Sequence, residues 1–171
     1  TDLICGILKK KLDNSTRSSL IKYSNLDIGA WEDIIRKKSF ISEFWPAQKL
    51  LGQQNVFNGK SAIIQMPTSA GKTKSTEIII RSSFLSNRSK LAIVIAPFRA
   101  LCSEIKNDLE VAFSGENINV DVPSDTLQED FDSMEDFDFE EKKLVLVVTP
   151  EKFMYMLRLS PEITSDIGLL I

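Results

Sequence analysis

Apolar positions fall into two regimes along the chain. From Asp13 to about Ser39 they recur at helical spacing, most clearly at Ile28, Trp31, Ile34 and Ile35. Asn14 or Ser15 is placed to cap one helix and Asp27 a second, with Lys37 and Lys38 suited to its C-terminal end. A third helix is expected from Pro46, a good first-turn residue, to about Gly59. Beyond that point short continuous apolar runs alternate with helical patterns. The runs are Ala62 to Gln65, Leu91 to Ala96, Leu144 to Val148 and Ile167 to Ile171, with Ile118 to Val122 as a shorter strand. Between them, helices are expected through Ile78, Ile79, Ile80 and Leu85, from about Arg99 to Phe113, and over Pro150 to Leu159. Buried strands alternating with helices predict an α/β fold: a parallel sheet flanked by helices on both faces, doubly wound. The division expected is a helical segment over residues 1–40 and an α/β domain over 41–171.

Composition narrows the chemistry. The chain has 171 residues, 43% of them apolar and 26% charged, and a net charge of −3. That suits a single globular domain without a global basic signature, so any nucleic-acid contact must be local or made by backbone N–H groups. No histidine is present, which excludes Ser-His and Cys-His nucleophilic catalysis within these residues. Cys5 and Cys102 lie far apart and form neither a disulfide framework nor a zinc site, so an intracellular, reducing compartment is expected. The longest apolar runs are far short of a membrane span, and Lys9, Lys10 and Lys11 follow the N-terminal apolar run in the wrong order for a signal peptide.

Residues 121–141 stand apart, with nine acidic residues from Asp125 to Glu141 interleaved with Phe131, Phe137 and Phe139. A solvated insertion is the plain reading; an acidic docking segment for a protein partner, or a gate over a basic groove, is the functional one.

The sharpest motif is Met66-Pro-Thr-Ser-Ala-Gly-Lys-Thr73, which follows an apolar run and opens a helix. Such a loop cradles phosphate oxygens with the backbone N–H groups of Thr68, Ser69, Ala70, Gly71, Lys72 and Thr73, and the helix N-terminus adds partial positive charge. Gly71 permits close approach, Lys72 reaches the β- and γ-phosphates, and the Thr73 hydroxyl is the Mg²⁺ ligand. Met66 stands where a first glycine is usual, which argues against a generic kinase or GTPase.

Three further segments accompany it: Phe44-Trp45-Pro46-Ala47-Gln48, Ala96-Pro-Phe-Arg-Ala-Leu101 and Val147-Val-Thr-Pro-Glu-Lys152. In order and spacing the four together resemble the motifs of superfamily-two helicases of the DExH/DEAD type, in particular the superkiller-like branch. The resemblance covers about Phe40 to Ile171 and implies the front part of a first RecA-like P-loop NTPase domain. It implies ATP and Mg²⁺ as cofactors and makes Lys72 and Thr73 catalytic. Gln48 matches the adenine-reading glutamine, whose amide donates and accepts at once. Pro97, Arg99 and Ala100 match one motif that grips a single nucleic-acid strand by its backbone, and Thr149, Pro150, Glu151 and Lys152 a second. Neither motif reads base sequence.

The run Ile167 to Ile171 corresponds to the strand that carries the DExH carboxylates at its tip, and the chain is expected to stop before them. The expectation is an ATP-dependent nucleic-acid helicase as the full-length protein, with residues 1–171 alone inactive. Two rivals stay open: a DNA translocase subunit of a restriction or defence complex, and a nucleotide-dependent switch or scaffold without motor activity. DNA and RNA are not distinguished.

Overall fold

A computed structural model describes residues 2–67, 69–123 and 142–171. Thr68 and most of the acidic stretch, residues 124–141, lie outside the described residues, so the docking and gating readings of that stretch are not addressed structurally. The chain divides into two compact units, Thr1–Ser86 and Asn87–Ile171.

The first unit is helical: α1 (Asp2–Asn14), α2 (Thr16–Ser24), α3 (Ile28–Ile35), α4 (Pro46–Gln53) and α5 (Lys72–Leu85). Ser15, of the two expected caps, starts α2 by accepting the Ser18 N–H at 3.3 Å. Asp27 occupies the cap position of α3 without a side-chain bond to the helix. Burial of Leu20, Trp31, Ile34, Phe44, Leu51, Val56, Phe57 and Ile78 makes one core. Phe44 and Phe57 meet edge to face at 5.8 Å, and the Trp31 indole N–H donates to the Ser24 hydroxyl at 3.1 Å.

Two expectations are corrected here. The helix from Pro46 does not reach Gly59: it ends at Gln53, Asn55 turns left-handed, and a short 3-10 turn covers Val56–Asn58. Asn tolerates that conformation better than most residues, so the chain turns and drops Val56 and Phe57 into the core. Residues 62–65 form no strand; Ile63 and Ile64 are exposed and no strand pairs with them. A β-branched run has the preference for extended backbone, but a strand exists only where a neighbour accepts its ladder bonds. Helix α1 spans 13 residues within the expected helical segment, with Leu3, Ile4, Ile7, Leu8 and Leu12 on its exposed surface.

The second unit is the α/β layer structure. Strands β1 (Leu91–Ile95), β2 (Ile118–Asp121), β3 (Lys143–Val148) and β4 (Ile167–Leu170) form a parallel sheet in the order β2-β3-β1-β4. Successive strand residues point to opposite faces. Leu91, Ile93, Leu144, Leu146 and Val148 pack with Met156 of α7 (Pro150–Leu159) and with Ile163. The alternate positions Ala92, Val94, Val145 and Val147 are buried as well, and α6 (Arg99–Phe113) lies against β2 and β3. Cover on both faces explains why β1 and β3 read as unbroken apolar runs. The fold is a parallel α/β sheet flanked by helices, consistent with a RecA-like domain.

Candidate functional site

In the first unit the candidate phosphate loop leads into α5. The loop turns twice into left-handed backbone, at Ser69 (φ 66°) and Gly71 (φ 81°). Ala70 donates its N–H to the Pro67 carbonyl at 3.3 Å, and Ser75 donates to the Gly71 carbonyl at 2.9 Å, which sets the first turn of α5. Lys72 and Thr73 are the first two helical residues and both are exposed. A 14-residue helix presents its free N–H groups at this end, with the lysine and hydroxyl beside them. A Cβ on Gly71 would lie 2.9 Å from Gln48 Nε2 and 3.7 Å from Trp45, so a side chain there would push the glutamine amide aside as well as strain the left-handed backbone. These residues fit a nucleotide phosphate with Mg²⁺. Met66 packs partly buried against the first unit's core, which is a physical reason for an apolar anchor where a glycine is usual.

Gln48 is only 2% exposed, unlike an ordinary helix-surface glutamine. Its Oε1 accepts the Trp45 N–H at 2.9 Å, at the start of α4. A carbonyl oxygen has a second lone pair, so this bond orients the amide without exhausting it. Gln48 borders a cleft of about 390 Å³ together with Phe40, Ile41, Trp45, Gly71 and Lys74. The sequence assigns no role to Phe40, Trp45 or Lys74. The aromatics stood close before Gln48, but nothing in their spacing distinguished a wall from a core residue.

In the second unit, β1 and β3 run parallel in register, with Ile95 opposite Val148. Ala96 donates its N–H to the Val148 carbonyl at 2.9 Å, so both strands end at one edge. The chain turns there into α6 at Arg99 and into α7 at Pro150. Thr149 accepts the Lys152 N–H on its side-chain oxygen at 3.3 Å and caps α7. Pro97, Arg99, Thr149, Glu151 and Lys152 converge on a cleft of about 700 Å³. Ala100 and Pro150 are exposed beside it, outside its lining. The cleft also takes in Phe98, Cys102 and Tyr155, to which the motif resemblance assigns no role. Phe98 and Tyr155 are 58% and 40% exposed, which gives the cleft an apolar aromatic wall. Burial raises the Cys102 thiol pKa above its ordinary value, against backbone hydrogen bonds from Cys102 and Ala96 that lower it.

Among the described residues no helix is long and apolar enough to cross a membrane. Residues 46–171 match the family model for DEAD/DEAH box helicases. The chain is 31% identical to the Hachiman protein HamB of Bacillus cereus over 160 residues, 94% of the chain and 13% of that protein. It is 28% identical over 135 residues to the ATP-dependent DNA helicase Hel308 of Thermococcus kodakarensis, 79% of the chain and 11% of that protein. Against the Hel308 of Methanocella arvoryzae identity is 35% over 121 residues, 70% of the chain and 16% of that protein. The chain therefore spans well under a fifth of the length of these relatives. It belongs to the DEAD/DEAH box helicase family.

Proposed function

We propose that the protein is an ATP-driven motor on single-stranded nucleic acid, with the two clefts as its nucleotide and track sites. In the first unit, Gln48 reads the adenine edge between the aromatic walls of Phe40 and Trp45. The loop Thr68, Ser69, Ala70 and Gly71 and the N-terminus of α5 take the phosphates. Lys72 neutralises the terminal phosphates and Thr73 offers its hydroxyl to Mg²⁺, which supplies charge stabilisation for phosphoryl transfer. In the second unit the strand lies across the ends of β1 and β3. Its phosphates meet the N–H groups that open α6 and α7, the Arg99 guanidinium, the Lys152 ammonium and the Thr149 hydroxyl, with Pro97, Ala100, Pro150 and Glu151 shaping the two turns.

The observation that carries this reading is the in-register pair Ile95 and Val148, which brings two separately recognised motifs to one cleft. Phosphate contacts position a strand without reading its sequence, which suits a motor that must move along any track. DNA is the proposed track, supported by relatives that carry the name ATP-dependent DNA helicase.

The test is binding of a single-stranded DNA oligonucleotide by the full-length protein at several salt concentrations. Loss of one phosphate contact in Arg99→Ala weakens binding and shallows the salt dependence by roughly one contact's worth, about 0.7 in log–log slope for a single strand. Unchanged affinity together with an unchanged slope contradicts the assignment.

A further inference from the structure

We propose that Glu77 and Arg81, which no step above uses, are positioning residues that set the affinity and base preference of the nucleotide cleft. The inference rests on the reading of that cleft as the adenine site. Both side chains are buried, with Arg81 1% and Glu77 2% exposed. Glu77 bridges two cations on one face of α5: its Oε1 lies 2.8 Å from Lys74 Nζ and its Oε2 3.3 Å from Arg81 Nη1. The spacing, three residues back and four forward, is what puts all three on the same stripe. Arg81 in turn stands over the ring of Phe40, 5.3 Å from its centroid. Both arms of this network therefore end on residues that line the cleft, Lys74 and Phe40.

Stability alone gives no reason for such a network. A buried Glu–Arg pair gains little over a packed apolar pair, because desolvation offsets most of the Coulomb attraction. What it adds is fixed geometry. A planar guanidinium held by a carboxylate keeps an aromatic ring in one orientation, as a flexible ammonium does not. The same carboxylate tethers Lys74, an otherwise mobile side chain at the mouth of the cleft. Since α5 also begins with Lys72, one helix carries the phosphate-binding end and, two to three turns on, the group that orients the base-binding end.

The experiment is steady-state ATP hydrolysis by the full-length protein, with KM and kcat for ATP and for GTP, in a cycle of Arg81→Lys, Phe40→Leu and the double variant. Thermal unfolding of each variant accompanies it. Arg81→Lys is expected to raise KM for ATP about tenfold and to erode the preference for ATP over GTP, leaving kcat within about twofold. In the Phe40→Leu background it is expected to have less than about a twofold further effect, since the ring it orients is gone. An equal effect in both backgrounds, or no change in KM, overturns the inference. Should Arg81→Lys fail to fold, the neutral pair Glu77→Gln/Arg81→Gln replaces it, with the same expected rise in KM; an unchanged KM overturns the proposal there too. If Phe40→Leu and Gln48→Ala themselves leave KM unmoved, the adenine-site reading fails and takes this inference with it. If they raise KM while the Arg81 variants do not, the inference alone fails.

Discussion

Ile95 and Val148 stand opposite one another in the parallel ladder of β1 and β3, and each is followed within four residues by a helix N-terminus. That single register brings Arg99 and Thr149 into the same cleft although they are fifty positions apart in the chain. Parallel strands place their C-terminal ends at one edge, which is where α/β sheets collect their binding groups. Candidate chemistry in the second unit follows from this pairing.

Thr149 has two tasks under this account. Its oxygen accepts the Lys152 N–H and caps α7, while its hydroxyl hydrogen remains to be donated to a phosphate. The tasks separate by substitution. Thr149→Ala loses both and is expected to cost about 1 kcal/mol of stability along with strand affinity. Thr149→Asp keeps a good cap, and is expected to hold its unfolding temperature while weakening DNA binding by at least about tenfold, because it sets a negative charge against the phosphate. An Asp variant that binds as tightly as the parent contradicts the phosphate contact and leaves Thr149 as a cap only.

The phosphate loop makes two contrasting predictions. Gly71 has φ 81°, and an added Cβ would meet Gln48 Nε2 at 2.9 Å. Gly71→Ala is expected to lose about 1–2 kcal/mol locally and to weaken nucleotide binding, because it displaces the glutamine as well as straining the turn. Ser69 also sits in left-handed backbone, at φ 66°, where a side chain is a cost. Ser69→Gly is expected to leave nucleotide affinity intact and the loop unstrained. Titration of each full-length variant with a fluorescent ATP analogue checks both; equal losses would show that backbone conformation at these positions is not what shapes the loop.

Much of the second unit was legible because its signals are local. The bounds of α6 and α7 are set by Pro150, by the Thr149 cap and by the turn after Ala96, and these lie in the sequence window that a helix reading uses. Strand β3 is legible for the complementary reason: from Leu144 to Val148 it is buried on both faces and holds only apolar residues. The first unit was less so. Ala62 to Gln65 carries a strand's composition, yet pairing depends on a neighbour that no local pattern announces. Asn55 ends α4 early through a left-handed turn that a periodic reading passes over. In the site, Gln48 was found through its motif, whereas its bond to Trp45, its packing on Gly71 and the Glu77–Arg81–Phe40 arrangement are tertiary facts.

The most direct measurement of the central claim is ATP hydrolysis by the full-length protein with no polymer, with single-stranded DNA and with single-stranded RNA, beside Lys72→Ala. The account predicts hydrolysis stimulated by DNA and abolished by Lys72→Ala. Hydrolysis indifferent to both polymers, or undiminished in the lysine variant, would contradict the motor reading.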